Sequence, residues 1–166
     1  MILSPLSIRR HNLVDPCLDA NTYHGISYGL SHAGYDIRVA EAHFIPPGGF
    51  ELGSSVERFT LPNTIVGILY NKSTWARQGL EVLYVVLEPG WTGYLTFGLA
   101  NHSRVTISIP PLVGIAQVLF HFLNAPTDDP YTGKYQNQKA GPQAALFEQE
   151  AAFIVGDEDR AKSEVR

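Results

Sequence analysis

The stretch YLTFGLANHSRVTISIPPLVGIAQVLFHF, residues 94–122, decides the fold class. Tyr94 to Asn101, Val105 to Ile109 and Gly114 to Phe122 are three short runs rich in β-branched and aromatic side chains, and Pro110-Pro111 separates the last two. Their length and their Gly and Pro boundaries fit strands, not core helices. The same grammar continues toward the N-terminus. Leu80 to Leu87 is almost continuously apolar, which predicts a strand buried on both faces, and Pro89-Gly90 marks a turn after it. Phe50 to Phe59 and Thr64 to Tyr70 read as strands divided at Leu61-Pro62-Asn63, and Tyr35 to Val39 alternates before Pro46-Pro47-Gly48-Gly49. Between them, Lys72 to Gly79 has the composition of one or two helical turns that Gly79 can end. Roughly seven or eight short strands with regular turns predict a mainly β chain, a jelly-roll or related sandwich.

Residues 34–123 are therefore expected to form the β domain. Residues 1–33, with turn signals at Asp15-Pro16 and Gly25, read as an irregular arm or short helix before it. From Asn124 the chain turns polar, with Pro126, Asp128-Asp129-Pro130, Gly133 and Gly141-Pro142, and cannot build a core of its own. Residues 124–147 are predicted to lie over the body as a lid, and residues 148–166 to be an acidic, flexible tail.

Composition removes several function classes. The formal net charge of −4, without any block of Lys and Arg, lacks the footprint expected of a duplex nucleic-acid binder. Cys17 is the single cysteine, which excludes an internal disulfide and a multi-cysteine metal site. The first residues carry Arg9, Arg10 and His11 without a continuous apolar core, and no stretch approaches the ~20 apolar residues of a membrane span. The expectation is a soluble, cytoplasmic protein. None of the histidines assembles with a Ser, Cys or Asp into a nucleophilic constellation, and the zinc deaminase pattern of His-x-Glu with Pro-Cys-x-x-Cys is absent.

Lys72-Ser73-Thr74-Trp75-Ala76-Arg77 follows a strand and opens a helical turn, so two cations and two hydroxyls converge in sequence on a place suited to a polyphosphate. Taken alone, Lys and Arg at that spacing also describe a solvated face. Four further motifs accompany it: Gly34-Tyr35-Asp36-Ile37-Arg38, Leu87-Glu88-Pro89-Gly90-Trp91-Thr92-Gly93, Ile109-Pro110 with Ile115-Ala116-Gln117-Val118-Leu119-Phe120, and Gly133-Lys134-Tyr135-Gln136-Asn137-Gln138. In this order and spacing they resemble the dCTP deaminase/dUTPase family over roughly residues 34 to 142, and dCTP deaminases most of all.

The resemblance implies a distorted jelly-roll-like, dUTPase-type β fold with short helical segments and a C-terminal lid. It also implies a homotrimer with its sites between subunits and a deoxynucleoside triphosphate as ligand. Lys72, Ser73 and Arg77 would hold the triphosphate, with Gln117, Tyr131, Lys134 and Gln138 completing the site. Asp36, on its strand, would brace the architecture. Magnesium would be carried by the phosphates and not by a protein cage, and no zinc is expected.

Three features depart from the family pattern. The deaminases carry a proton-moving glutamate in the strand after Pro-Gly-Trp-x-Gly, where this chain has Gly98. Losing such a group costs ~10²–10⁴-fold in rate. The stretch from Gly79 to Glu88 is also shorter than in the family, so the base pocket is expected to be enlarged and to admit a bulkier or modified base. Glu88 stands where dUTPases place the aspartate that orients the attacking water. Three activities follow from the resemblance: deamination of dCTP to dUTP and ammonia; a dNTP pyrophosphatase in which Glu88, Ser73 and Arg77 are catalytic; and a nucleotide-binding regulator without turnover.

Overall fold

Alternation along residues 92–101 turns Leu95, Phe97 and Leu99 into the core, and along residues 114–122 it turns Ala116, Val118 and Phe120 the same way. Two sheets therefore face each other across one apolar layer. In the computed structural model residues 1–147 are described. They run α1 (Pro5–Arg10), β1 (Val14–Asp15), β2 (Asn21–Tyr23), β3 (Ile26–Ser31), β4 (Gly34–Arg38), β5 (His43–Ile45), β6 (Phe50–Thr60) and β7 (Ile65–Asn71). There follow α2 (Ser73–Ala76), β8 (Leu80–Val82), β9 (Val86–Leu87), β10 (Thr92–Asn101), β11 (Ile107–Ile109) and β12 (Gly114–Phe122). One sheet has the order β1-β6-β10-β8 and the other β2-β3-β4-β12-β7-β9, with β5 and β11 as a separate pair; every pairing is antiparallel. This mainly β, jelly-roll-like architecture is the one expected. Phe59 of the first sheet reaches Phe120 of the second, their ring centroids 6.4 Å apart. Among the described residues no helix is long and apolar enough to cross a membrane.

A buried ion pair also spans the two sheets. Glu57 on β6 has a side chain 0% exposed and accepts from the backbone N–H of Arg38 on β4 at 3.0 Å and from its Nε at 2.7 Å. Burial pushes the Glu57 carboxyl above the ordinary carboxylate range, and the hydrogen bonds from Arg38 oppose that shift.

Two expectations are set against the structure. Of the arm or short helix expected in residues 1–33, the short helix is α1 (Pro5–Arg10), and the segment is not an arm outside the body: Leu3, Ile8, Leu13 and Val14 are buried, and β1, β2 and β3 extend the two sheets. Their apolar residues lie in short runs between turns, too brief for a periodicity to show, yet together they cap one end of the core. The run Leu80 to Leu87 is not one doubly buried strand either. It is β8, paired with β10, and β9, paired with β7, joined by Leu83-Tyr84-Val85 as the chain passes from one sheet to the other. Leu83 and Tyr84 are exposed there, so the apolar character of this stretch serves a surface as well as the core. The acidic tail, residues 148–166, lies outside the described residues.

Candidate functional site

β7 delivers the chain to Lys72, and the four residues of α2 are pinned by Trp75, which is buried and donates its indole N–H to Gly114 O at 2.8 Å. This anchor leaves Ser73 and Arg77 exposed on the short helix. Lys72 forms an ion pair with Asp36 of β4, whose Oδ2 also accepts from Ser27 Oγ at 2.9 Å. This ion pair ties β4 to the residue that follows β7. Gln117 on β12 donates to Ser31 Oγ at 2.7 Å. Ser27, Asp36, Asn71, Lys72, Ser73 and Gln117 line one cleft of about 1030 Å³. Two buried oxygens in this set, Asp36 Oδ1 and Asn71 Oδ1, find no hydrogen-bond partner among the described residues.

The remaining predicted residues gather elsewhere. Glu88, Tyr131 and Gln138 border a cavity of about 710 Å³ whose wall includes Phe50, Leu52 and Val85. Tyr131, Tyr135, Gln138 and Gln143, from the segment predicted as a lid, line it. Gln136 accepts from Thr92 N at 2.8 Å and donates to the carbonyls of Gly90 and Tyr131, each at 2.9 Å. Trp91 Nε1 donates to Tyr135 O at 2.8 Å, and Tyr94 N to Gln138 O at 3.0 Å. Gly93 permits this last approach: its φ is +150°, and a Cβ there would stand 2.7 Å from Gln138 N. Lys134, exposed, donates to the carbonyl of Leu146 in the same segment. Glu88 is exposed at the border between this cavity and a second one of about 510 Å³, which Tyr131 also lines.

Gly98 does not open the cavity. A Cβ built there would lie 2.6 Å from Leu83 Cδ1 and 2.7 Å from Phe50 Cε2, so these two side chains already fill the space a larger residue would take. The expected enlargement at this point is thereby corrected. The atoms nearest to that space are carbon. Two residues away on the same face, Thr96 Oγ1 accepts from Gln138 Nε2 and, at 3.1 Å, from Gln143 N. Phe50, Thr96 and Gln143 were not among the residues singled out from sequence. Thr96 shares the strand parity of Gly98, which was the available signal; Phe50 and Gln143 reach the cavity from distant segments.

Within one chain the phosphate-type set (Lys72, Ser73, Gln117) and the lid set (Glu88, Tyr131, Gln138) line separate clefts with no residue in common. Known proteins resemble this chain in sequence and in fold. The dCTP deaminase-like family model matches residues 30–123. The dCTP deaminase of Campylobacter lari is 35% identical, over 77% of this chain and 87% of its own, and that of Roseiflexus castenholzii is 36% identical, over 78% and 89%. In fold, the dUTPase of Staphylococcus bacteriophage 80alpha superposes with a TM-score of 0.55 at 16% identity, covering 74% of this chain and 97% of that one. The EIAV dUTPase gives a TM-score of 0.51 at 21% identity, covering 61% and 84%. By its sequence match over residues 30–123 and its likeness to these dCTP deaminases, the chain belongs to the dCTP deaminase-like family.

Proposed function

We propose that this is an enzyme of deoxynucleoside triphosphates, working as a homotrimer with each site built between subunits, and that its chemistry falls at the phosphates and not at the base. The observation that carries the reading is the division of its polar groups, among the described residues, between two clefts whose linings have no residue in common. A nucleotide gripped by both sets needs the Lys72 cleft of one subunit against the Glu88 cavity of another. Lys72, Ser73 and Arg77 then hold the phosphates, Gln117 steadies the cleft through Ser31, and Tyr131 and Gln138 close over the base. Lys134 joins the phosphates once it leaves Leu146.

Glu88 is the carboxylate at the mouth of the cavity. It takes a proton from a water that attacks the α-phosphorus, the bond to the β-phosphate oxygen breaks, and a monophosphate and pyrophosphate leave. Positioning by Ser73 and Arg77 supplies the rest of the rate. Magnesium fits as a companion of the phosphates: Asp36 and Asn71 offer the Lys72 cleft oxygen atoms without partners, the donor type a hard cation takes. Bound there, it would neutralise phosphate charge.

The names of the curated relatives favour a second reading, deamination of dCTP. Against it stands the apolar filling at Gly98, which leaves no acid or base at that point of the wall. A third reading is a regulator that binds without turnover. Incubation with each dNTP and magnesium, followed by chromatography, separates all three. We expect monophosphate and pyrophosphate, lost in Glu88→Gln while nucleotide binding persists. Ammonia and dUTP from dCTP would overturn the assignment in favour of deamination, and tight binding without product would overturn it in favour of the regulator.

A further inference from the structure

We infer that Phe50 is a specificity-determining residue of the cavity, and that it selects a pyrimidine nucleotide with an apolar substituent at C5. This rests on the reading that the cavity holds the base. It extends that reading from the phosphate end, which the cations define, to the base end, which they do not.

The cavity presents two chemically different walls. One is polar: Thr96, Gln138 and Gln143 are tied together through the Thr96 hydroxyl, which accepts two hydrogen bonds there and still has its own proton to donate. The other is carbon. Phe50 and Leu52 come from β6, and Val85 and Val86 from the sheet crossing and the strand after it. Phe50 is held against β10 opposite Ala100, and the gap at Gly98 receives its ring edge. Leu83 fills the same gap beside it and is fixed by its own backbone N–H, which donates to Gly98 O at 2.9 Å. Gly98 is thus what allows an aromatic ring to lie flush with the strand. Phe50 remains 56% exposed in the single chain, so its ring is open to a ligand in the cavity that it lines.

A pyrimidine has two edges to match two walls. Its N3 edge carries the hydrogen-bonding atoms and needs polar partners. Its C5–C6 edge carries none. Placing the N3 edge against Phe50 and Leu52 would bury donors and acceptors without partners, a loss of roughly 1–3 kcal/mol for each unsatisfied group. Placing the C5 edge there costs nothing of that kind and rewards an alkyl group with burial. The carbon wall therefore reads C5, a position where an alkyl group can be added without disturbing the hydrogen-bonding edge.

The test is calorimetric titration of the full chain with the α,β-imido forms of dCTP and 5-methyl-dCTP, which resist turnover, in the presence of magnesium. The methylated nucleotide should bind about fourfold more tightly, the worth of one buried methyl group. Phe50→Ala should bring the two affinities together, and Phe50→Leu should retain part of the difference. Because Phe50 is largely exposed, both variants are expected to fold, and urea unfolding checks this. Equal affinities in the unaltered protein, or a methyl preference that survives in a folded Phe50→Ala, would overturn the inference while leaving nucleotide binding intact. If neither analogue binds, the nucleotide reading itself fails, and this inference with it.

Discussion

Replacing Arg38 with methionine keeps most of the length of the side chain and removes its charge. Glu57, 0% exposed, then loses the 2.7 Å bond from Arg38 Nε and keeps the main-chain N–H of residue 38 at 3.0 Å. Breaking a buried pair from one side costs about 3–5 kcal/mol. That is a large part of the ~5–15 kcal/mol by which a domain is stable. The cost depends on pH in a definite sense. Burial already raises the Glu57 carboxyl, and the Arg38 hydrogen bonds head the causes that hold it down; without Arg38 it rises further. Above the ordinary carboxylate range the folded protein then holds a proton that the unfolded chain has released, so stability falls as pH rises through that interval. Arg38→Met should therefore lose more stability at about pH 8 than at about pH 5, every further tenfold gain in the carboxylate's proton affinity adding about 1.36 kcal/mol. Urea unfolding followed by circular dichroism at both pH values measures it. Arg38→Met with Glu57→Leu should recover much of the loss, because an apolar pair needs no charge compensation. Equal losses at both pH values, or a double variant no more stable than Arg38→Met, would refute the reasoning.

Lys72→Met removes a cation from the phosphate cleft and should weaken dNTP binding about tenfold to a hundredfold, the range for a charge-assisted hydrogen bond; unchanged affinity in a folded variant would exclude Lys72 from the grip. Gln136→Ala deletes three contacts that fasten the lid, to Thr92 N, Gly90 O and Tyr131 O. At about 0.5–1.5 kcal/mol each, their loss should speed amide exchange across residues 133–140 and leave β10 and β12 protected. Uniform exchange changes over both regions would mean that the lid is not a separate unit.

Much of the fold was legible because long strands advertise their period. β6, β10 and β12 were placed from alternation and from Pro and Gly boundaries almost to the residue. The first thirty or so residues were not, since burial of Leu3, Ile8 and Leu13 depends on a core assembled from residues far along the chain. Leu80 to Leu87 misled for a related reason. An apolar run says how much surface is to be covered and nothing about whether one sheet or two will cover it. In the candidate site, the cationic and lid motifs were readable as local strings, and their separation into two clefts was not. Glu57 shows the limit most plainly: a carboxylate within a strand reads as solvent-facing, and only the placement of Arg38 across the sheets explains its burial.

The crossing at residues 83–85 constrains how this pocket can diversify. Leu83 N is bonded to Gly98 O in one sheet, and Val85 O accepts from Leu69 N in the other, so the pocket wall doubles as a tether holding both sheet edges in register. The outward side chains at 50, 83 and 84 carry no such duty. Substitution at those positions alters the surroundings of the cavity and leaves both pairings in register, whereas a change of length in the crossing has to preserve the Leu83–Gly98 and Leu69–Val85 bonds to do the same.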